Sequence, residues 1–294
     1  MTGITAAVLG SPIAHSLSPV LHTAGYRALG IAEASSYGRF EVTDDQLAGF
    51  LAEHPGHTGF SLTMPLKTEL VRLAAERGWH SDETAAQTGA ANTLIRHPDG
   101  QQIANTDVIG IVEAIAECQP AAADTAAILG SGATAASAVA ALHRLGVTAI
   151  DLYARRPERA RGAADLASDL GIQAAIHPLA DYRPGQCLLT VSTLPAGALS
   201  AESFSWPDSL DAATVLLDVA YAAGGYSIGA DIAAHGGQAI AGERMLIHQA
   251  VEQQLLFAAA AAGVDAPAQT WRPRLAAAMT EALTTAHTAK GDRR

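Results

Sequence analysis

The chain is short of the residues that cross-link, stack or attract polyanions. Its 294 residues contain two cysteines, Cys118 and Cys187, far apart in sequence. That argues against a disulfide framework or a CxxC centre and leaves two packing thiols. Aromatic residues make up only 5%, so helices should be many and packed through small side chains. Cations are scarce: 18 Lys and Arg face 29 Asp and Glu, for a net charge of -11. A chain this negative lacks the electrostatic footprint of a nucleic-acid binder. The longest apolar run, over 255–264, is too short to cross a bilayer, so no membrane partner is expected. Met1-Thr2-Gly3-Ile4 has no basic region ahead of an apolar core, which argues against a signal peptide. The 11 histidines are scattered and no HExxH occurs, so no metal site is expected. Together these features point to a soluble cytoplasmic protein of one large domain or two ordinary ones.

What is present is organised around residues 126–146. Ala126-Ala127-Ile128-Leu129 is a short apolar run, Gly130-Ser131-Gly132-Ala133-Thr134-Ala135 a glycine turn, and the alanine-rich remainder a helix. Strand, glycine turn and helix make the first half of a βαβ unit. Gly130 permits the tight turn, and Gly132 lets a pyrophosphate approach the backbone. Ala135 stands where the third glycine of a dinucleotide fingerprint would be. The helix start, with its N–H groups and dipole, suits phosphate. The competing reading is a small-residue turn of purely structural kind.

Before this turn, 6–10 reads as a strand and 20–29 as a helix that Pro19 could open. Ser16 and Ser18 just ahead of it suit two roles equally: helix caps, or hydroxyl donors to a substrate carboxylate. Strand 35–42 and a helix over 44–53 started by Thr43 follow. Then comes Gly59-Phe-Ser-Leu-Thr63-Met-Pro-Leu-Lys67, with a helix to about 77. Lys67 lies just inside a helix N-terminus, where the dipole disfavours a cation; that favours an amine that exchanges a proton. Residues 89–96 read as a strand, His97-Pro98-Asp99-Gly100 as a turn, and the returning strand runs into Asn105-Thr106-Asp107. A simple cap needs one such residue, not three.

Four segments, in this order, resemble the shikimate dehydrogenase family: Gly10-Ser-Pro-Ile-Ala-His-Ser-Leu-Ser-Pro19, Thr63-Met-Pro-Leu-Lys67, Gly89-Ala-Ala-Asn-Thr93 and Asn105-Thr-Asp-Val-Ile-Gly110. The glycine turn falls where that family's dinucleotide site begins, and the resemblance covers nearly the whole chain.

Beyond the turn, 148–154 reads as a strand ending in Ala154, Arg155 and Arg156. An NAD enzyme places an acid there for the ribose hydroxyls, whereas two guanidinium groups fit a 2′-phosphate. Asp151 comes too early in the strand to be that acid. Ala154 departs from the family's Asn. A helix over 159–170 and strands over 173–177 and 187–191 follow, the last leading to Thr193 in a cofactor-facing loop. Strand 215–221 carries Asp218 and Tyr221 at the family's spacing, although the usual Asn-Pro is replaced by Ala222-Ala223. A strand over 237–241 leads to Gly242-Glu-Arg-Met245-Leu-Ile-His-Gln249-Ala250, which resembles the family's Gly-x-x-Met-Leu-x-x-Gln-Ala motif. Helices over 242–260 and about 271–288 should fold back onto the first domain, and Lys290 to Arg294 should be disordered.

The expected fold is α/β: an N-terminal α/β substrate domain of residues 1–106 and 242–294, and a Rossmann-like doubly wound domain of residues 107–241. The resemblance implies an NADP-dependent enzyme that reversibly reduces 3-dehydroshikimate to shikimate in aromatic amino-acid biosynthesis. It carries over Lys67 and Asp107 as the catalytic pair. Ser16, Ser18, Thr63, Asn92, Tyr221 and Gln249 would join them on the substrate. Gly130, Ser131, Gly132, Ala133, Thr134, Ala135, Arg155, Arg156, Thr193, Gly242 and Met245 would hold NADP. Rival readings are a quinate or amino-shikimate dehydrogenase and an inactive nucleotide-sensing relative. Oligomeric state is left open, a homodimer included.

Overall fold

The computed structural model describes residues 3–120, 122–221, 226–263 and 268–291. The chain forms two compact units, one of Met1–Thr106 with Ile247–Arg294, the other of Asp107–Leu246.

The first unit contains β1 (Thr5–Gly10), α1 (Ser18–Leu29), β2 (Ser36–Glu41), α2 (Leu47–Glu53), β3 (Gly59–Leu62), α3 (Lys67–Arg77), β4 (His80–Ser81), α4 (Glu83–Thr88), β5 (Thr93–His97) and β6 (Gly100–Ala104). Its sheet order is β2-β1-β3-β5-β6-β4. β1, β2 and β3 pair in parallel, and β5 runs antiparallel to β3 and β6. Alternation decides what each face buries. Leu9, Phe60, Leu62 and Leu94 pack with Leu47, Leu51, Leu70 and Leu73 of the helices.

The second unit opens with α5 (Asp107–Ala116), β7 (Thr125–Leu129), α6 (Ala133–Arg144), β8 (Ala149–Ala154), α7 (Arg161–Asp169) and β9 (Gln173–Pro178). It continues through β10 (Leu189–Ser192), β11 (Val215–Asp218), α8 (Ile228–Ala234) and β12 (Gln238–Ala241). α9 (Gly242–Ala262) crosses the boundary of the units, and α10 (Ala268–Gly291) packs on α1 in the first. The second sheet is parallel throughout, in the order β12-β11-β10-β7-β8-β9. The order reverses between β7 and β10, as in a doubly wound dinucleotide fold. Both faces are buried, as parallel sheets require. Ala126 and Ile128 point into a core with the alanines of α6, whereas Ala127 and Leu129 join Tyr182, Phe204 and Ile232 on the other side. Cys118 and Cys187 are free thiols; burial pushes that of Cys187 up to about 11.

Several boundaries differ from the sequence reading. The expected strand over 89–96 begins only at Thr93, because Asp82 caps α4 through the Ala85 N–H (2.6 Å) and Gly89 ends it in the left-handed region. α4, β4 and α8 were not anticipated. Helix 159–170 becomes α7 after a separate turn over Pro157–Ala160. α10 continues through Lys290 and Gly291, where a disordered tail was expected; 292–294 lie outside the described residues. Among the described residues no helix is long and apolar enough to cross a membrane, and no group of three His, Cys, Asp or Glu could hold a metal.

Gly59 shows how tightly the first unit closes. A Cβ there would lie 2.5 Å from the Leu94 carbonyl oxygen and closer still to the ring of Phe257 on α9. Backbone on one side and a buried ring on the other leave no room to yield. Gly59→Ala should therefore cost about 1–3 kcal/mol through overpacking. A thermal melt should show a loss of several degrees; an unchanged midpoint would contradict the packing.

Candidate active site

In the first unit the sequence motifs are fastened to one another through their main chains. Thr63 leaves β3 with its N–H on the Leu9 carbonyl (2.9 Å), and Ser11 N–H donates to the Met64 carbonyl (3.1 Å). A Cβ on Gly10 would strike the Thr63 methyl and lie 2.9 Å from the Met64 oxygen. The 10–19 and 63–67 segments thus meet with no side chain at Gly10. Lys67 is the first residue of α3, half-buried, and its carbonyl accepts from Ala91 N–H at 3.0 Å. This bond ties the lysine's turn to the Gly89–Thr93 segment.

Asn92 is the centre of that segment and 2% exposed. Its Oδ1 accepts from the Thr106 N–H (2.9 Å) and the Thr93 hydroxyl (2.8 Å). Its Nδ2 donates to Thr106 Oγ1 (2.9 Å) and Gln249 Oε1 (3.3 Å). Asn105 donates to Thr88 Oγ1 (2.9 Å). Of the three polar residues at 105–107, two therefore fasten the first unit. Asp107 opens α5 and is 4% exposed.

α1 starts at Ser18 after Leu17, and Leu17 has no polar side chain to cap it. Ser16 Oγ accepts from the N–H of Ser18, the first residue of the helix (3.3 Å), and so satisfies one of its free N–H groups. Ser18 is buried beside the Tyr37 hydroxyl. Of the two roles left open for these serines, the capping one is met by Ser16.

Sequence reasoning missed the polar residues behind this surface. Gln253 on α9 bonds Ser61, Thr93 and the Asn92 carbonyl. Its signal was available: Gln253 is four residues beyond Gln249, on the same helix face. His22 lies under the cluster, stacked on Tyr37 at 4.1 Å, and burial lowers its pKa to about 3.

In the second unit the glycine turn lies at the switch point of the sheet. Gly130 has φ +126°, and a Cβ there would collide with the Thr193 hydroxyl. Thr193 donates both its N–H (2.7 Å) and its hydroxyl (3.0 Å) to the Leu129 carbonyl. Gly130 N–H donates to the Tyr153 carbonyl (2.8 Å). The turn is thus pinned to β10 on one side and β8 on the other. A Cβ on Gly132, which precedes α6, would meet nothing within 4 Å. Open space over a glycine at an uncapped helix start suits a phosphate. Ser131, Ala133 and Thr134 line the same turn half-buried, while Ala135 is fully buried against the sheet, as the third small residue must be.

Arg155 and Arg156 follow β8 directly and are exposed. Asp151 is engaged elsewhere: His177 Nε2 on β9 donates to it at 3.0 Å. The end of β8 therefore carries two exposed cations. Gly242 packs on the end of β11, where a Cβ would lie 2.6 Å from the Val219 carbonyl. Met245 is in the core of this unit. Tyr221 lies just past β11; burial first, then the charges of Asp107 and Glu243, raise its pKa. Tyr221 and Asp107 are thus neighbours. Ala222 and Ala223 lie outside the described residues.

Residues 8–94 match the family described as the shikimate dehydrogenase substrate binding domain. The chain is 34% identical over 255 residues to a shikimate dehydrogenase (NADP(+)) of Paramagnetospirillum magneticum, covering 84% of this chain and 89% of that protein. It is also 38% identical over 151 residues to the pentafunctional AROM polypeptide of Candida tropicalis, half of this chain (50%) but only 9% of that one. Among solved structures, the Mycobacterium tuberculosis shikimate dehydrogenase is similar with a TM-score of 0.75 and 36% identity, over 93% of this chain and 99% of that one. A Thermus thermophilus shikimate 5-dehydrogenase in complex with NADP(H) and shikimate gives 0.72 and 26%, over 95% of this chain and 99% of that one. With its motifs gathered as described and this likeness along nearly its full length, the chain belongs to the shikimate dehydrogenase family.

Proposed function

We propose that this protein is an NADP-dependent shikimate dehydrogenase, interconverting 3-dehydroshikimate and shikimate. The observation that carries the reading is the fastening of the 63–67, 89–93 and 105–107 motifs around the buried Asn92 amide. A small polyol acid needs such a matched polar list, because an unmatched buried polar group rejects the wrong substrate. The pathway toward chorismate and aromatic amino acids is the setting we infer, in the cytoplasm. The partners are small molecules, and the charge of -11 argues against nucleic acid. The oligomeric state stays open, a homodimer included.

NADPH supplies the hydride that reduces the ketone. The Gly130–Ala135 turn would hold its pyrophosphate, Arg155 and Arg156 its 2′-phosphate, and Thr193, Gly242 and Met245 would border the rest. Ser16, Ser18 and Tyr221 would bind the substrate carboxylate, and Thr63, Asn92, Asp107 and Gln249 its ring hydroxyls. As the carbonyl oxygen gains charge, the Lys67 ammonium donates a proton to it, and in the reverse direction the amine takes that proton back. Asp107 orients the reacting hydroxyl and the amine.

Purified protein should consume NADPH with 3-dehydroshikimate and do so better than with dehydroquinate. Cofactor binding without turnover of either would select a nucleotide-sensing relative instead. Arg155→Ala should raise the KM for NADPH about 10- to 100-fold, the worth of a charged hydrogen bond, and leave NADH nearly unchanged. Equal losses with both cofactors would contradict the 2′-phosphate role. Lys67→Ala should cut kcat by ~10²–10⁴-fold with much smaller changes in KM, because proton delivery matters mainly in the transition state. Lys67→Arg should not restore it, since guanidinium stays charged at any useful pH. Near wild-type kcat in Lys67→Ala would reduce this residue to a surface lysine at a helix start.

A further inference from the structure

We propose that Gln253 is a positioning residue for substrate binding: its amide sets the placement and proton direction of Ser61, Tyr37 and Ser18 on one side and of Thr93 and Asn92 on the other. This deepens the functional reading above and rests on it.

The Asn92 main-chain carbonyl can only accept. Gln253 Nε2 is 3.1 Å from the Asn92 main-chain carbonyl, so the amide nitrogen must face that way and Oε1 the other. Oε1 then receives the Ser61 hydroxyl at 2.7 Å. With its proton committed, Ser61 accepts from the Tyr37 hydroxyl at 2.6 Å. Tyr37 has no second proton, so toward Ser18, which lies beside it, its oxygen can only accept. On the other branch Nε2 also donates to Thr93 Oγ1 at 3.1 Å, which directs the Thr93 proton to Asn92 Oδ1 at 2.8 Å.

The titratable groups facing this amide are His22 from α1 and, through Ser61, Tyr37 from β2. His22 Nε2 lies 3.3 Å from Gln253 Oε1; buried and neutral, it donates to that oxygen and brings no charge. Gln253 is 1% exposed, so water cannot replace it. One side chain of α9 therefore joins α1, β2, β3 and β5, the elements that carry the candidate carboxylate and hydroxyl readers. Its contacts serve ground state and transition state alike, so its loss should appear in KM for the substrate and not in kcat.

Gln253→Glu tests this with almost no change of shape. Ionised, the introduced carboxyl keeps the acceptor for Ser61 but has no donor for Asn92 or Thr93. The KM for shikimate should rise about tenfold at neutral pH, roughly one lost hydrogen bond, with kcat and the KM for NADP within about twofold of wild type. Burial raises a carboxyl's pKa, so acidification should protonate it, restore a donor and recover the KM, a recovery absent from the wild type. Tyr37→Phe supplies a second variant should the first not fold: it removes the hydroxyl that donates to Ser61 and lies beside Ser18, and should raise the KM for shikimate alone. Folded variants with wild-type KM at every pH would overturn the proposal. So would a fall in melting temperature with kcat and both KM values moving together, the mark of a merely structural role. Wild-type protein inactive on shikimate would overturn the proposed function, and this inference with it.

Discussion

A carboxamide buried without partners costs a few kcal/mol, and the one on Asn92 is buried with both its oxygen and its nitrogen engaged inside the first unit. Its partners come from β5, from Thr106 just ahead of α5 and from α9. Its own main chain takes Leu62 N–H from β3 and gives its N–H to Ala104. Removing any one of these groups would strand another, so the loops carrying Thr63, Lys67 and Thr106 cannot drift independently. Rigidity of this kind is what a site for a small polar molecule requires.

The second unit solves a different problem with different means. Its turn must leave open backbone, so it is held from behind: Thr193 and Tyr153 clamp the chain at Leu129 and Gly130, while Gly132 faces empty space. Small residues do the packing. The alanines of α6 lie close on the sheet, which is how a chain with 5% aromatics still buries both faces.

Much of this was legible in the sequence because the signals were local. Short apolar runs marked β1, β7, β8 and β11, Thr43 marked the helix after it, and the glycine spacing marked the start of α6. Lys67 was correctly placed at a helix start. What escaped notice depended on partners distant in sequence. Gln253 reads as one more polar residue of a long helix until Ser61, Asn92 and Thr93 are brought to it from about 160–190 positions away. Ser16 keeps the local role of a cap, whereas Ser18 lies beside Tyr37, which β2 brings to it. Strand 89–96 was overextended because nothing local revealed that Asn92 turns its side chain inward.

The first unit is discontinuous in the chain, and this bears on its synthesis. Its sheet lies wholly within the first 106 residues, yet Gln249, Gln253 and Phe257, which complete the Asn92 cluster and cover Gly59, belong to α9. The second unit is one continuous stretch. As the chain leaves the ribosome, that stretch can close on its own. The first sheet, made earlier, must wait without Gln249, Gln253 and Phe257 until α9 emerges. The half made first is thus the half finished last, and it is the nascent sheet, not the nucleotide fold, that needs shelter from aggregation.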